Sequence, residues 1–313
     1  MKVMQRVDVG GNVKLALAEV AQPRPGTGQI LVHVHAAGVI HTELGWQPTT
    51  HTKAGGPRER AVPGHEFSGV VAELGADAAG FTVGQAVYGM NDWYDEGASA
   101  EACLTNPSSI AAKPARLDHI EAASVPISAL TAWQGLDRVH LERGERVLIH
   151  GGAGGVGLFA VQLARERGAR VIATVSARNI ALVRDLGADE VIDHRAVRFE
   201  DVVQAVDVVF DTVGGATRDR SWKVLGPGGR LVTIVSDVDD RSEARLREAF
   251  FIVEPSAVQL AEMARLIDAG RLRTFVNAVL PLAEAASAYA EHVPGERGHG
   301  KTVIQVVPAS ALR

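Results

Sequence analysis

The stretch at 146–175, RVLIHGGAGGVGLFAVQLARERGARVIATV, constrains the fold more than any other part of the chain. An apolar strand pattern runs into a glycine-dense turn, an apolar helix pattern follows, and a second strand pattern arrives at the spacing of a β-α-β unit. Gly152, Gly154 and Gly157 stand in G-x-G-x-x-G order at the turn. This context predicts a dinucleotide site, in which the cofactor pyrophosphate approaches the backbone at a helix N-terminus. A structural turn that binds no ligand is the alternative.

The residue that ends the second strand predicts the choice of cofactor. Enzymes that prefer NAD usually carry Asp or Glu there, to accept hydrogen bonds from the ribose hydroxyls. This chain has Val175 at that position, followed by Ser176 and, two residues later, Arg178. Both of these side chains can donate to a phosphate, and guanidinium with phosphate is a strong charge-assisted pair. The sequence therefore favours NADPH over NADH, with Arg178 as a solvated surface charge as the alternative.

The length of the chain and a change in its local sequence patterns predict two domains. A chain of 313 residues exceeds the usual size of one hydrophobic core. Residues 1–115 contain short strand-like runs between irregular loops, which is typical of a mostly β domain. From Leu141 onward strand-like and helix-like segments alternate, which predicts a parallel sheet with helices on its faces. The segment at 255–270 is predicted as a helix whose buried face carries Leu260, Met263, Leu266 and Ile267.

Net charge and cysteine content limit the kinds of function and site that the chain can have. The formal charge of −5 and the pI near 6.1 give no broad basic field for nucleic acid. Asp8, Lys14 and Glu19 interrupt the first twenty residues, so we expect neither a signal-peptide core nor a membrane span there, and we predict a cytoplasmic protein. Cys103 is the only cysteine in the sequence, which excludes an intrachain disulfide and a cysteine-built metal site.

Seven sequence blocks occur in an order that resembles a known family. They are AGVIHTELGW, VPGHEFSGVVAELG, AASVPISALTAWQGL, VLIHGGAGGVGLFAVQLAR, LGADEVID, VDVVFDTVGG and LGPGGRLVTI. The chain resembles the medium-chain dehydrogenase/reductases, in the zinc-independent quinone oxidoreductase branch that includes zeta-crystallin. The resemblance implies an α/β fold in which a doubly wound Rossmann domain is inserted into a mostly β, GroES-like catalytic domain, with the active site in the cleft between them. The expected segments are 1–121 and 271–313 for the catalytic domain and 122–270 for the Rossmann domain.

Two positions that hold zinc ligands elsewhere in this superfamily are aliphatic here. Zinc-dependent members have cysteines where this chain has Ile40 and, approximately, Ile127, and a histidine where it has His65. Isoleucine cannot coordinate, and a catalytic zinc needs about three protein ligands. A makeshift site of His41, His65 and Glu66 is conceivable, but a histidine and a carboxylate that hydrogen-bond in the domain interior explain these residues better. We therefore expect no metal.

Without zinc, reduction of a conjugated acceptor is favoured over oxidation of an alcohol. A hydride delivered to an enone or a quinone places the incoming charge on an oxygen, which a hydrogen-bond donor or water can then protonate. We expect NADPH-dependent reduction of quinones or α,β-unsaturated carbonyl compounds by direct hydride transfer. The alternatives are a pathway-specific enoyl or ketone reductase, and a non-catalytic NADPH-binding sensor or structural protein. No residue is identified as the general acid.

The expected cofactor contacts in the glycine turn are Gly152, Gly154, Gly155, Val156 and Gly157. The resemblance implies that Thr131, Phe251 and Val253 lie near the nicotinamide. It also makes His41, Trp46 and Tyr94 candidates for the substrate pocket wall. Core packing is an equal alternative for Trp46, and an exposed loop aromatic is the preferred interpretation of Tyr94. For Lys301, at the start of a strand, a plain surface lysine is preferred over a contact to the cofactor phosphates.

The segment Ala249–Val253, AFFIV, is predicted as an apolar strand at the end of the nucleotide-binding sheet. An unprotected sheet edge of this kind is normally paired or covered. We therefore expect a homodimer that forms by edge-to-edge pairing of this strand, as the family resemblance also implies.

Overall fold

The computed structural model describes residues 1–9, 12–235, 242–289, 293 and 297–307. In these residues the strands are, in chain order, β1 (Lys2–Val9), β2 (Asn12–Glu19), β3 (Ile30–Gly38), β4 (Glu66–Leu74), β5 (Ala86–Met90), β6 (Ala102–Thr105), β7 (Ile110–Ala112), β8 (Arg146–His150), β9 (Arg170–Val175), β10 (Glu190–Asp193), β11 (Val206–Asp211), β12 (Leu225–Thr233), β13 (Val276–Pro281) and β14 (Lys301–Gln305).

The α-helices of the same residues are α1 (Gln47–Thr50), α2 (His119–Ala123), α3 (Pro126–Arg138), α4 (Gly155–Glu166), α5 (Ile180–Asp185), α6 (Phe199–Val202), α7 (Gly215–Ser221), α8 (Ala244–Ala249), α9 (Ala257–Asp268) and α10 (Ala285–Ala288). Short 3₁₀ turns lie at Glu43–Gly45, Pro107–Ser109, Ala177–Asn179 and Leu282–Glu284. None of the helices in the described ranges is both long and apolar enough to cross a membrane.

The chain divides into two units, one made of Met1–Ile127 with Pro255–Arg313 and the other of Ser128–Glu254. The units divide at 127/128 and 254/255, whereas the boundaries expected from the sequence are 121/122 and 270/271, so α9 lies in the first unit. The Tyr88 hydroxyl donates to the carbonyl oxygen of Leu260 at 2.6 Å. The Asp268 carboxylate accepts from the amide of Arg116 at 3.1 Å. These bonds fasten both ends of α9 to the first unit.

The first unit is built on a mostly antiparallel sheet. Its strand order is β13-β14-β3-β4-β5-β7, with β6 also paired to β3, and β1 and β2 form a separate antiparallel hairpin. Alternation in β3 places Ile30, Val32 and Val34 on one face, where all three are fully buried. The chain leaves this sheet after β7 and returns to it through α9, β13 and β14, with Val303 paired to Gly38. The predicted mostly β, discontinuous domain is confirmed.

The second unit is a five-stranded sheet with order β10-β9-β8-β11-β12, and its strand pairs are parallel. This 3-2-1-4-5 order is that of the dinucleotide-binding fold, so the predicted Rossmann domain is confirmed. Val147, Leu148 and Ile149 of β8 are completely buried, because helices cover both faces of a doubly wound sheet. The carboxyl ends of the parallel strands meet at one edge, where the glycine turn follows β8.

The helix predicted at 255–270 is α9, and its four predicted core residues are buried as expected. The strand predicted at 249–253 is wrong. Helix α8 ends at Ala249, and Phe250 makes one isolated parallel bridge to Thr233. The side chain of Gln134, on α3, donates to the carbonyl oxygen of Glu254 at 2.8 Å and accepts from its amide at 3.0 Å. A helix side chain thus takes the backbone groups of the residue that directly follows the predicted strand.

Candidate functional site

The glycine turn begins directly at the end of β8. Gly151 has a positive φ of 71°, a conformation that favours glycine. The amide of Gly152 donates to the carbonyl oxygen of Thr174 at 3.0 Å, which ties the turn to the neighbouring strand β9. Gly154 is the N-cap residue of α4 and supplies no side chain to cap it. Of the predicted contacts, Gly154 is exposed and Gly155 and Val156 are half-buried.

The glycines at 152 and 157 are required by close packing. A Cβ atom at Gly157 would collide with the carbonyl oxygen of Gly151, far inside contact distance. A Cβ atom at Gly152 would lie 3.0 Å from the Cβ of Ala173 and 3.3 Å from the Cγ1 of Val175. The turn can therefore fold tightly back onto the first turn of α4.

The start of α4 offers donors to an anion. The first four amides of a helix have no partner within the helix, and here no N-cap side chain satisfies them. Their partial positive charge is directed at the exposed Gly154. The absence of Cβ atoms at the turn and the uncapped amides of α4 together fit the pyrophosphate of a dinucleotide.

Residues 175–178 follow the turn at the same edge of the sheet, since His150 of β8 is paired with Thr174 of β9. Val175 ends β9 as predicted and is buried. Ser176 is half-buried and accepts from the side-chain amide of Asn179 at 3.4 Å, and Arg178 is exposed in the 3₁₀ turn. No carboxylate occupies positions 175–178, so this corner of the unit carries a hydroxyl and a cation.

The three residues expected near the nicotinamide lie on α3 or on the segment that packs against α3. Thr131 is buried on α3, one helical turn before Gly135. A Cβ atom at Gly135 would lie 3.2 Å from the ring of Phe251, so Phe251 packs directly on α3. Val253 is buried just before Glu254, whose backbone is bonded to Gln134. Helix α3 therefore holds this segment at Gln134 and Gly135, about one helical turn after Thr131.

The first unit contains a buried polar network around His65. Its Nδ1 lies 3.1 Å from Oε2 of Glu43, and its Nε2 lies 3.3 Å from the carbonyl oxygen of Asp95. The other Glu43 oxygen accepts from the Tyr289 hydroxyl at 2.5 Å and from the amide of Gly64 at 2.8 Å. Burial and the carboxylate of Glu43 hold the pKa of Tyr289 well above its usual range. The histidine–carboxylate pair favoured from the sequence is therefore present, with Glu43 rather than Glu66 as the acid.

Glu66 belongs to a separate buried pair with Lys301. The Lys301 Nζ lies 2.5 Å from Glu66 Oε1, and the amide of Ile127 donates to Oε2 at 2.8 Å. Burial raises the pKa of Glu66, and the charge of Lys301 opposes that shift. The interpretation of Lys301 as a plain surface lysine is wrong, because only 11% of its side chain is exposed.

The three candidates for the pocket wall occupy different environments. His41 is exposed in a turn. Trp46 is half-buried and packs edge-to-face on the buried Trp93 at a ring distance of 5.2 Å. Tyr94 is half-buried too, with the ammonium of Lys53 5.5 Å from its ring centre, so it is not the exposed loop aromatic that was preferred.

The donor set in the described residues does not fit a catalytic metal. They contain no group of three or more His, Cys, Asp or Glu side chains arranged to hold one. Both ring nitrogens of His65 face oxygen acceptors, Glu66 is paired with Lys301, and the backbone of Ile127 is fixed to Glu66.

Sequence reasoning missed Glu43 and Tyr289. Glu43 lies in a polar turn between two candidate residues, and Tyr289 follows it by 246 residues. No local pattern joins positions so far apart. The one available signal is that Tyr289 is the only aromatic residue of the short helical segment that precedes β14.

Two family models match consecutive parts of the chain. Residues 26–173 match the alcohol dehydrogenase GroES-like domain, and residues 186–304 match a zinc-binding dehydrogenase domain.

Individual proteins match over most of the chain. The mitochondrial NAD(P)H oxidoreductase RTN4IP1 of Mus musculus is 32% identical over 89% of this chain and 82% of its own length. The chloroplastic NADPH-dependent alkenal/one oxidoreductase of Arabidopsis thaliana is 28% identical over 98% and 80%. The solved structure of the quinone oxidoreductase from Coxiella burnetii superposes with a TM-score of 0.85, at 30% identity over 98% of this chain and 99% of that one.

Proposed function

We propose that this chain, which belongs to the medium-chain dehydrogenase/reductases and to their quinone oxidoreductase-like branch, reduces quinones or α,β-unsaturated carbonyl compounds with NADPH. It is an oxidoreductase that uses a nicotinamide cofactor. The observation that carries the finer proposal is the corner of the second unit where the uncapped start of α4 is followed by Ser176 and Arg178, with no acid at Val175.

Different residues of the second unit bind different parts of the cofactor. The amides at the start of α4 hold the pyrophosphate, and Ser176 and Arg178 receive the 2′-phosphate that distinguishes NADPH from NADH. Thr131, Phe251 and Val253 shape the surface against which the nicotinamide lies. Once bound, the reduced nicotinamide supplies the hydride. Rigid placement of such reactants contributes a large part of the rate acceleration.

We further propose that the reaction needs no metal. Ile40 and Ile127 cannot coordinate, and both ring nitrogens of His65, which occupies the remaining ligand position, face oxygen atoms of the protein at 3.1 and 3.3 Å. His41, Trp46 and Tyr94 remain our proposal for the pocket wall, and for Trp46 and Tyr94 their half-buried rings support it.

Turnover with a panel of acceptors tests the function. We expect the purified protein to oxidise NADPH with benzoquinone, a naphthoquinone, cyclohexenone or a straight-chain alkenal, and to do so equally in chelator. Cyclohexanone, which lacks the conjugated double bond, is the matched control and should not be reduced. Turnover of saturated ketones or alcohols alone, lost on chelation and restored by zinc, would contradict the proposal. Tight NADPH binding without turnover of any acceptor would support the sensor instead.

We propose a homodimer, although the strand expected to form it is only one bridge long. Ile252 lies two residues beyond that bridge, its side chain is 60% exposed, and an exposed apolar side chain of this kind favours association. Light scattering at micromolar concentration should report twice the mass of the chain, and Ile252→Lys should shift the population toward monomer. A monomeric unmodified protein would overturn this.

The cytoplasmic location also remains a proposal. The mouse relative, in contrast, is named as mitochondrial. Imaging of a fluorescent fusion in the native cell decides between the two.

A further inference from the structure

His150 is a buried polar residue that the proposed binding set does not use. It is the last residue of β8, directly before the glycine turn, and its side chain has no exposed surface. Its Nδ1 lies 3.1 Å from the hydroxyl oxygen of Thr174, and its Nε2 lies 2.9 Å from the hydroxyl oxygen of Ser221 on α7. The ring also packs edge-on against Phe199, with centroids 4.6 Å apart.

The neighbouring bonds fix the direction of each hydrogen bond. Ser221 donates its hydroxyl proton to the carbonyl oxygen of Thr217 at 2.8 Å, so its oxygen accepts from Nε2–H of His150. A neutral imidazole with its proton on Nε2 carries a lone pair on Nδ1, which accepts from the hydroxyl of Thr174. The Thr174 oxygen in turn accepts from the amide of Gly151 at 3.4 Å.

Thr174 therefore holds two successive amides of the glycine turn. Its hydroxyl oxygen accepts from Gly151, and its carbonyl oxygen accepts from Gly152 at 3.0 Å. On the other side of the turn, the hydroxyl of Thr212 donates to the carbonyl oxygen of His150 at 2.7 Å. A Cβ atom at Gly151 would strike that hydroxyl, so the turn fits closely between Thr174 and Thr212.

We propose that His150 is a positioning residue of the dinucleotide site: its neutral imidazole aligns the hydroxyl of Thr174, which fixes the turn at Gly151 and Gly152 so that the first amides of α4 face the cofactor pyrophosphate. The inference rests on the proposed cofactor site. NADH and NADPH share the pyrophosphate, so this network acts on both cofactors alike, whereas Ser176 and Arg178 act on NADPH alone.

The electrostatics of the site keep the imidazole neutral. Burial, which is the largest cause, and the charge of Arg220 together lower the pKa of His150 to about 4, although the charges of Asp211 and Glu200 act in the opposite direction. At neutral pH Nδ1 therefore stays unprotonated and can accept from the Thr174 hydroxyl, so the hydrogen-bond directions from Gly151 to Thr217 are preserved.

Replacement of Thr174 tests the hydrogen-bond chain at the residue that joins it to the glycine turn. Thr174→Val keeps the shape and removes the hydroxyl, so we expect the dissociation constants of NADPH and NADH to rise by the same factor, about fivefold, as for one lost hydrogen bond. The Michaelis constant of the cofactor should rise while that of the acceptor does not. Thr174→Ser restores the hydroxyl and should restore binding of both cofactors.

Thr105→Val is the matched control, because Thr105 is buried in the first unit and its hydroxyl oxygen has no hydrogen-bond partner among the residues that the structure describes. It should leave cofactor binding unchanged. The inference is overturned if Thr174→Val, at an unchanged thermal midpoint, binds both cofactors as the unmodified protein does, or if it weakens NADPH alone. An unmodified protein that binds neither cofactor would overturn the proposed function as well, which separates the two failures.

A spectroscopic measurement tests the inference even if Thr174→Val does not fold. In the ¹⁵N-histidine spectrum of the unmodified protein at neutral pH, we expect the His150 signals to show a protonated Nε2 and an unprotonated Nδ1, assigned by their loss in His150→Asn. A proton on Nδ1, or on both nitrogens, would prevent Nδ1 from accepting the Thr174 hydroxyl proton and would overturn the inference.

Discussion

Arg178 is the residue on which the choice of cofactor depends. It is exposed in the turn after β9, where it can reach a phosphate without a burial cost. If it holds the 2′-phosphate, Arg178→Ala loses a charge-assisted contact of about 1.5–3 kcal/mol, which is about ten- to a hundredfold in NADPH affinity. NADH lacks this phosphate and should bind the variant as it binds the unmodified protein. Titration with both nucleotides measures this.

Arg184→Ala is the matched control for Arg178→Ala, because Arg184 is an exposed arginine of α5, six residues along the chain. It should leave both dissociation constants unchanged. Equal weakening of NADPH and NADH by Arg178→Ala, or equal use of both nucleotides by the unmodified protein, would return Arg178 to a solvated surface charge.

The pair of Glu66 and Lys301 is a residue-scale determinant of stability. Lys301→Met leaves the Glu66 carboxylate buried without its counter-charge, and breaking a buried pair in this way costs about 3–5 kcal/mol. Glu66→Gln in the Lys301→Met background removes the uncompensated charge and should recover most of the loss. Urea unfolding of the single and double variants measures both effects, and a double variant no more stable than Lys301→Met would contradict the explanation.

These two sites differ in how far the sequence could predict them. The position of Ser176 and Arg178 directly after β9 follows from the local β-α-β order, and their contact with the cofactor stays a prediction. Lys301 was assigned to the surface, because its partner lies 235 residues earlier and nothing in the sequence near either residue records the pairing. Pairings made by the return of the chain to its first sheet are tertiary, and local patterns do not contain them.

At the scale of elements, the junction of β8 and α4 depends on backbone contact. Gly157→Ala places a Cβ on the carbonyl oxygen of Gly151, so α4 must shift away from the turn. We expect a lower thermal midpoint and loss of cofactor binding. Gly154→Ala is the matched control for stability, because its Cβ would meet only the Gly151 oxygen at 3.3 Å. It should unfold near the temperature of the unmodified protein. Equal midpoints for both variants would contradict the close-packing argument.

The segment at 249–253 shows where element prediction failed. Five residues of apolar or small character match a buried strand, and periodicity alone cannot reveal that a helix side chain takes the backbone groups next to them. In contrast, α9 was predicted with its core residues, because its apolar spacing of three to four residues admits one face only.

At the scale of the whole molecule, half-buried histidines whose pKa is lowered link stability to pH. In the first unit His35 and His119 are in ring contact at 4.2 Å. Burial lowers the pKa of both, to about 4 for His119, and the charge of Lys113 also lowers that of His119. His119 lies 2.8 Å from the Ser68 hydroxyl oxygen, which itself donates to the carbonyl oxygen of Val87, so the imidazole donates to Ser68 through Nδ1–H.

Acid should therefore weaken the fold well above the pH at which most carboxylates titrate. An unfolded histidine takes up its proton near pH 6.5 and folded His119 near 4, so in this window the unfolded chain binds more protons and stability falls as the pH falls. His119→Asn keeps a donor to Ser68 but does not titrate. We expect the thermal midpoint to drop less between pH 7 and pH 5 in this variant than in the unmodified protein. The raised pKa values of Glu66 and Asp95 act with the opposite sign, but they are common to both proteins and cancel in the comparison. An identical drop in both proteins would show that His119 does not couple protonation to folding.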